Sequence, residues 1–176
     1  MILDSSAVPA DAPGAEAARA PIDRAQPTTG WLLDLARIFR GFGPLPAVAG
    51  TREQTGAWDH TGASRTVVLA DGSTARERLT TYVPPHHFAY RLDALTGPLR
   101  LVAAGAEGAW WFAPTPRGTR IRWTYVFEPR GGRAAIVRLL LAPLWRSYQR
   151  RALALAAAEA EAAAGRTARN VSSIRS

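Results

Sequence analysis

Between Gly62 and Leu92 the chain reads GASRTVVLADGSTARERLTTYVPPHHFAYRL, three strand-like runs separated by two turn signals, and the middle run carries a carboxylate on its apolar side. Alternation from Ser73 to Val83 puts Ala75, Glu77, Leu79, Thr81 and Val83 on one face, and Thr74, Arg76, Arg78, Thr80 and Tyr82 on the other. Only the first set can face a core. A carboxylate there must be paired, hydrogen-bonded, protonated or wetted by an internal pocket, unless the strand is an edge open to solvent. The strands that follow favour the pocket.

A chain of 176 residues that is 47% hydrophobic and has six Trp can close one core and hardly two. The expected ordered unit is 21–164. Residues 1–20 and 165–176 lack apolar periodicity and read as tails, the second of them basic. Residues 1–20 also lack the basic start and apolar run of a secretory signal, and no window is apolar enough to span a bilayer, so the expected location is cytoplasmic.

Without cysteine there is no disulfide, thiolate nucleophile or sulfur-bound zinc. All 22 basic residues are arginine and the net charge is +8. The arginines are scattered rather than interleaved with aromatics in a binding motif, which argues against nucleic acid.

Along the chain, Pro21 to Gln26 suggests a first strand, and Thr28 or Thr29 can cap a helix over Trp31 to Phe39. Gly41, Gly43, Pro44 and Pro46 then leave room for one short helical turn before a strand near Val48 to Thr55. Trp58 to Gly62 reads as a connection. The three central strands turn at Asp71-Gly72 and at Pro84-Pro85. Further strands are expected at Leu99 to Ala103, Gly108 to Pro114 and Thr119 to Glu128, the last with Ile121, Trp123, Tyr125 and Phe127 on its inward face. Val137, Leu140, Leu141, Leu144, Tyr148, Ala152 and Leu155 recur at helical spacing in one helix from Arg133 to Ala164, kinked at Pro143 and ending at Gly165. One twisted antiparallel sheet of about six or seven strands wrapped round that helix buries both apolar faces, with a pocket between them.

Gly62, Arg65, Asp71-Gly72, Glu77, Leu79 and Tyr90, the run GPLRL at Gly97 to Leu101, the strand RIRWTYVFEP and the helical segment PLWRSYQRRALAL carry a resemblance to the SRPBCC, or START-like, superfamily. Within it the chain is similar to the polyketide cyclase/dehydrase and lipid-transport group, related to the birch pollen allergen and the plant abscisic acid receptors. The resemblance covers about Pro21 to Ala163 and rests on the order and spacing of the motifs. It implies an α+β helix-grip fold whose cavity holds a lipid, a polyketide or another hydrophobic small molecule, without implying a reaction. It places Glu77 and Tyr90 in the pocket and Arg100 in a loop at its mouth. The gate-loop pattern of the receptors is missing after Asp71-Gly72, so hormone sensing is not carried over.

Glu77 is the candidate polar anchor or general acid/base, since an apolar pocket raises a carboxyl toward neutrality. Arg65 depends on the hairpin register. A two-residue turn at Asp71-Gly72 leaves it outside beside Arg78, whereas a three-residue turn brings it to the Glu77 face; a surface arginine is the plainer expectation. His60 beside Asp59 can form an acid/base pair at the pocket mouth, though a loop histidine is the simpler reading. His86 and His87 are expected to be solvated in a turn. No histidine spacing suggests a metal and no glycine pattern suggests a nucleotide, so no metal or cofactor is expected.

Two readings follow. In the first, the protein binds a hydrophobic ligand through Glu77 and Arg100, in a wall made of Leu79, Tyr90, Trp123, Tyr125, Leu141 and Tyr148. In the second, it is a cofactor-independent cyclase or dehydratase in which Glu77, Tyr90 or His60 moves protons. A stripe of Arg138, Arg146 and Arg150 offers membrane contact, although an ordinary charged helix face explains it. A monomer or a homodimer fits either reading.

Overall fold

A computed structural model describes residues 2–5, 35–115 and 118–174. The expected strand at Pro21 to Gln26 and the start of the first helix lie outside these residues. Among them one seven-stranded antiparallel sheet runs in the order β1-β7-β6-β5-β4-β3-β2. Its strands are β1 (Ile2–Ser5), β2 (Val48–Arg52), β3 (Ser64–Leu69), β4 (Thr74–Val83), β5 (His87–Asp93), β6 (Ala103–Thr115) and β7 (Gly118–Pro129). A short helix, α1 (Leu35–Ile38), precedes β2, and α2 (Ala134–Ile136) leads through a π-helical stretch, Val137–Leu141, into the long α3 (Ala142–Ile174). Register shifts in the β2–β3, β4–β5 and β6–β7 pairs mark bulges, the usual device for bending a sheet.

The aromatic face expected on β7 is in place: Ile121, Trp123, Tyr125 and Phe127 are all buried. Opposite them α3 presents Tyr148, Ala152, Leu153, Ala156 and Ala157, a stripe that ends in alanines and lets helix and sheet approach closely. Phe39, Trp58 and Val67 complete the same core.

Several local expectations are corrected. On β4 the alternation holds from Ala75 through Glu77 to Leu79. The bulge between Leu79 and Thr81 then reverses the faces, so that Val83 is exposed and Tyr82 packs against the core. GPLRL is no strand: Pro98–Leu101 forms a 3-10 turn behind Gly97, whose φ is 63°. β6 is instead one continuous strand through AAGAEGA, a run of low strand propensity held by pairing on both sides.

The helix departs from α geometry before Pro143 rather than at it. The Ala142 N–H reaches the Val137 carbonyl, and this widened turn accommodates a proline that cannot sit in a regular helix interior. It also turns Leu140, placed in the apolar stripe by its spacing, toward solvent. The helix continues through Gly165 to Ile174, where a basic tail was expected, because one glycine costs only about 1 kcal/mol among good helix formers. Likewise Ile2–Ser5, expected within a tail, pairs with β7. No helix among the described residues is long and apolar enough to cross a membrane.

Candidate functional site

The turn between β3 and β4 decides what faces the interior. Val68 pairs with Thr74, and the Leu69 N–H donates to the Ser73 carbonyl, leaving Ala70, Asp71 and Gly72 as a three-residue loop. Gly72 takes the left-handed conformation, with φ 80°, that such a loop requires. The Asp71 carboxylate accepts from both the Ser73 hydroxyl (2.6 Å) and the Ser73 N–H (3.0 Å), which locks the turn and lowers the Asp71 pKa. This loop length sets Arg65 directly opposite Glu77. The surface reading of Arg65 is therefore replaced by its alternative.

Arg65 Nε donates to Glu77 Oε2 at 2.6 Å, with the two side chains only 2% and 7% exposed. The Trp58 ring covers the guanidinium at 3.8 Å, a cation–π contact in a desolvated place. Burial pushes the Glu77 carboxyl above its ordinary range, against the charge and hydrogen bond of Arg65, which pull it down.

Glu77 and Tyr90 are diagonal neighbours on the inward face, since Glu77 pairs with Leu92 and Tyr90 with Leu79. Trp123 Nε1 donates to the Tyr90 hydroxyl at 3.2 Å. Burial, and then the charge of Glu77, raise the Tyr90 pKa far above its ordinary value, which favours the protonated phenol. Burial raises Tyr125 and Tyr148 as well.

These groups stand in the wall of a cavity of about 420 Å³ between the sheet and the C-terminal helix. Its lining is chiefly apolar: Leu35 from α1 and Phe39 just after it, Val67, Phe88 and Trp110 from the sheet, and Leu141, Leu144 and Trp145 from the helix side. Trp110 stacks on Trp123 at 4.7 Å, and Trp145 lies 4.4 Å from Tyr125 and 5.0 Å from Tyr148, giving flat aromatic walls on both sides. Asp71, Ser73, Pro98 and Leu99 bring the β3–β4 turn and the 3-10 turn to the rim, where Ile136 and Leu140 meet them from the helix side.

Of the residues singled out by sequence, the cavity collects Glu77, Tyr90, Trp123, Tyr125, Leu141 and Tyr148. Leu79 is fully buried but packs in the core outside the lining. Arg100 is exposed and absent from the lining, because the 3-10 turn directs its neighbours Pro98 and Leu99 inward instead. His60 does pair with Asp59, at 2.9 Å, yet both side chains are about 60% exposed and outside the cavity. His87 belongs to β5 rather than a solvated turn, its Nδ1 2.9 Å from the Trp110 carbonyl and its ring stacked on Trp111. Arg138, Arg146 and Arg150 are exposed. No cluster of three His, Cys, Asp or Glu suited to a metal occurs among the described residues.

Trp58, Trp110 and Trp145 also line the cavity, beyond the wall named from the sequence. Trp58 sits in a segment read as a connection, and its only sequence signal was a large apolar ring among loop residues.

A family model described as "Polyketide cyclase / dehydrase and lipid transport" matches residues 27–161. Among solved structures the chain is similar to Ara h 8.0201, with 14% identity and a TM-score of 0.59 over 90% of this chain and 95% of that one. It is also similar to a protein from Nitrosospira multiformis, with 18% identity and a TM-score of 0.51 over 80% and 88% of the two chains. Likeness at such identities bears on the fold alone. No curated protein matches the chain by sequence.

Proposed function

The chain belongs to the polyketide cyclase / dehydrase and lipid transport family, and from that premise we propose that it binds a hydrophobic small molecule, a lipid or a polyketide-like chain, between the sheet and the C-terminal helix. The observation that carries this reading is the cavity of about 420 Å³, lined by aromatic and aliphatic side chains and containing one buried ion pair. A cavity of that size lies within the ordinary range for small-molecule sites, and a few fixed polar groups in an apolar wall are what orient such ligands. The rim turns around Ser73 and Pro98 form the entrance. The test is mass spectrometry of the small molecules released by mild denaturation from protein purified from its native host. A stoichiometric apolar compound is expected. Protein that arrives empty and also takes up no apolar dye would overturn the reading.

A second reading, a cofactor-independent cyclase or dehydratase, is supported by Glu77, a buried carboxyl with a raised pKa beside the phenol of Tyr90. Ionised Glu77 takes a proton from a methylene flanked by carbonyls. The resulting carbanion attacks a second carbonyl of the same chain, and the new alkoxide takes that proton back from the Glu77 carboxyl. Glu77, ionised again, removes the remaining proton of the same carbon and passes it to the leaving hydroxyl, which departs as water as the carbon–carbon double bond forms. Tyr90, held as a phenol, donates a hydrogen bond to a carbonyl oxygen. Glu77→Gln with a polyketone substrate separates the readings: turnover lost by an order of magnitude or more with binding retained supports catalysis, and unchanged turnover removes Glu77 from it.

A further inference from the structure

Among the described residues three buried side-chain polar atoms have no hydrogen-bond partner: Arg65 Nη1, Trp145 Nε1 and Gln149 Oε1. Two of these residues, Arg65 and Trp145, line the cavity, and their unpartnered atoms are both donors. The third atom is an acceptor, on a residue outside the lining, whose amide nitrogen already donates to the Trp123 carbonyl at 3.3 Å. The two donors come from different layers: Arg65 from β3 in the sheet, Trp145 from α3. A buried donor without an acceptor costs free energy comparable to a lost hydrogen bond, so chains rarely keep one that nothing uses. Here the apolar cavity keeps two.

We propose that the cavity selects an apolar molecule bearing uncharged carbonyl oxygens, with Arg65 Nη1 and Trp145 Nε1 donating to acceptors on the ligand, in preference to a bare hydrocarbon chain or a carboxylate. The proposal rests on the reading that the cavity binds a hydrophobic molecule, and specifies its chemistry.

The choice of an uncharged acceptor follows from the neighbours of Arg65. Its guanidinium is already paired with Glu77 at 2.6 Å and covered by Trp58. A ligand carboxylate would bring in a second negative charge beside Glu77, with no further cation in the cavity lining to meet it. A carbonyl oxygen takes a hydrogen bond without adding charge. Trp145 Nε1 is a neutral donor and sets the same requirement from the helix side. A ketone, ester or amide oxygen needs only what the two residues offer.

The experiment is displacement of the uncharged dye Nile red from the full-length protein by four compounds of equal chain length: an n-alkane, its methyl ketone, a diketone and the fatty acid. A net gain of one hydrogen bond to a buried donor is worth about a ten-fold change in affinity. The methyl ketone is therefore expected to bind about ten-fold more tightly than the alkane, the diketone more tightly again, and the fatty acid at neutral pH no more tightly than the ketone. Trp145→Phe keeps an aromatic wall and removes the N–H. Arg65→Met/Glu77→Leu removes the other donor without stranding its partner. Each is expected to lower the ketone-to-alkane affinity ratio severalfold, and Trp145→Phe suffices if the double variant does not fold. Equal binding of alkane and ketone, or a ratio unmoved by Trp145→Phe, would overturn this inference while leaving apolar binding intact. Tighter binding of the fatty acid would overturn the preference for an uncharged group. If the dye does not bind at all, the binding reading fails and this inference with it.

Discussion

Removing the acceptor from the buried ion pair gives the sharpest test of how the site is held. Glu77→Leu leaves the Arg65 guanidinium, 2% exposed, with an unpaired Nε in addition to its unpartnered Nη1. Breaking a buried pair from one side costs about 3–5 kcal/mol, because the remaining charge keeps its desolvation penalty and loses its partner. In a domain of this size that corresponds to a fall in Tm of about 6–20 °C. Glu77→Gln costs less, since the amide oxygen still accepts from Nε. Arg65→Met strands the carboxylate instead, and here pH decides. Burial without Arg65 leaves the folded-state pKa of Glu77 raised above its ordinary 4.5. The stability that the group contributes is then fully present below about that value and is lost as pH rises through the folded-state value. Arg65→Met is therefore expected to be most stable in mild acid and to weaken toward neutrality. Arg65→Met/Glu77→Leu has no carboxyl at this site and lacks that trend, and it should return to within about 1–2 kcal/mol of the native protein, because two apolar side chains carry no stranded charge. Urea titrations of the four variants between about pH 5 and pH 8 measure each figure by linear extrapolation. If the double variant is as unstable as the sum of its singles, the two residues are not coupled, and the pairing that sets the cavity wall is refuted.

Gly108 lies where a Cβ would fall within the Tyr90 ring, 2.7 Å from its Cε2, so Gly108→Ala should drive that ring from its place, break the Trp123 hydrogen bond, cost about 1–3 kcal/mol and alter apolar dye binding, as urea titration and dye fluorescence will show. Leu139→Ser, on a side chain 64% exposed, should change stability by no more than about 0.5 kcal/mol in the same titration. Asp71 has its pKa lowered by the two Ser73 donors, so its contribution is present above the ordinary carboxylate value of 3.8 and is lost as pH falls through the lowered one. The acid limb of Tm against pH should therefore be shallower in Asp71→Asn than in the native protein.

The fold was legible where periodicity runs unbroken. Ile121, Trp123, Tyr125 and Phe127 alternate without interruption and are buried as the pattern requires. The bulge after Leu79 leaves no such trace, because an inserted residue looks like any other in sequence while reversing the face of everything beyond it. The π-helical stretch before Pro143 was equally hidden: a proline announces that the helix must adjust, but the placement of the adjustment depends on what packs against it.

The candidate site shows the same division. Glu77 stood out because one carboxylate on an apolar face must be explained, but its partner depended on a loop whose length is a tertiary fact. Asp71-Gly72 serves a two-residue turn as readily as a three-residue one, and a single residue of difference moves Arg65 from solvent to the interior. In the structure the Ser73 N–H and hydroxyl close on Asp71, and Gly97 packs so tightly against Ser73 that a Cβ there would come within 2.6 Å of the serine Cβ. Both interactions require Ser73 where the three-residue loop puts it. The turn that sets the register is thus clamped by the loop that forms the cavity rim, and the polarity of the wall and the shape of the entrance are determined together.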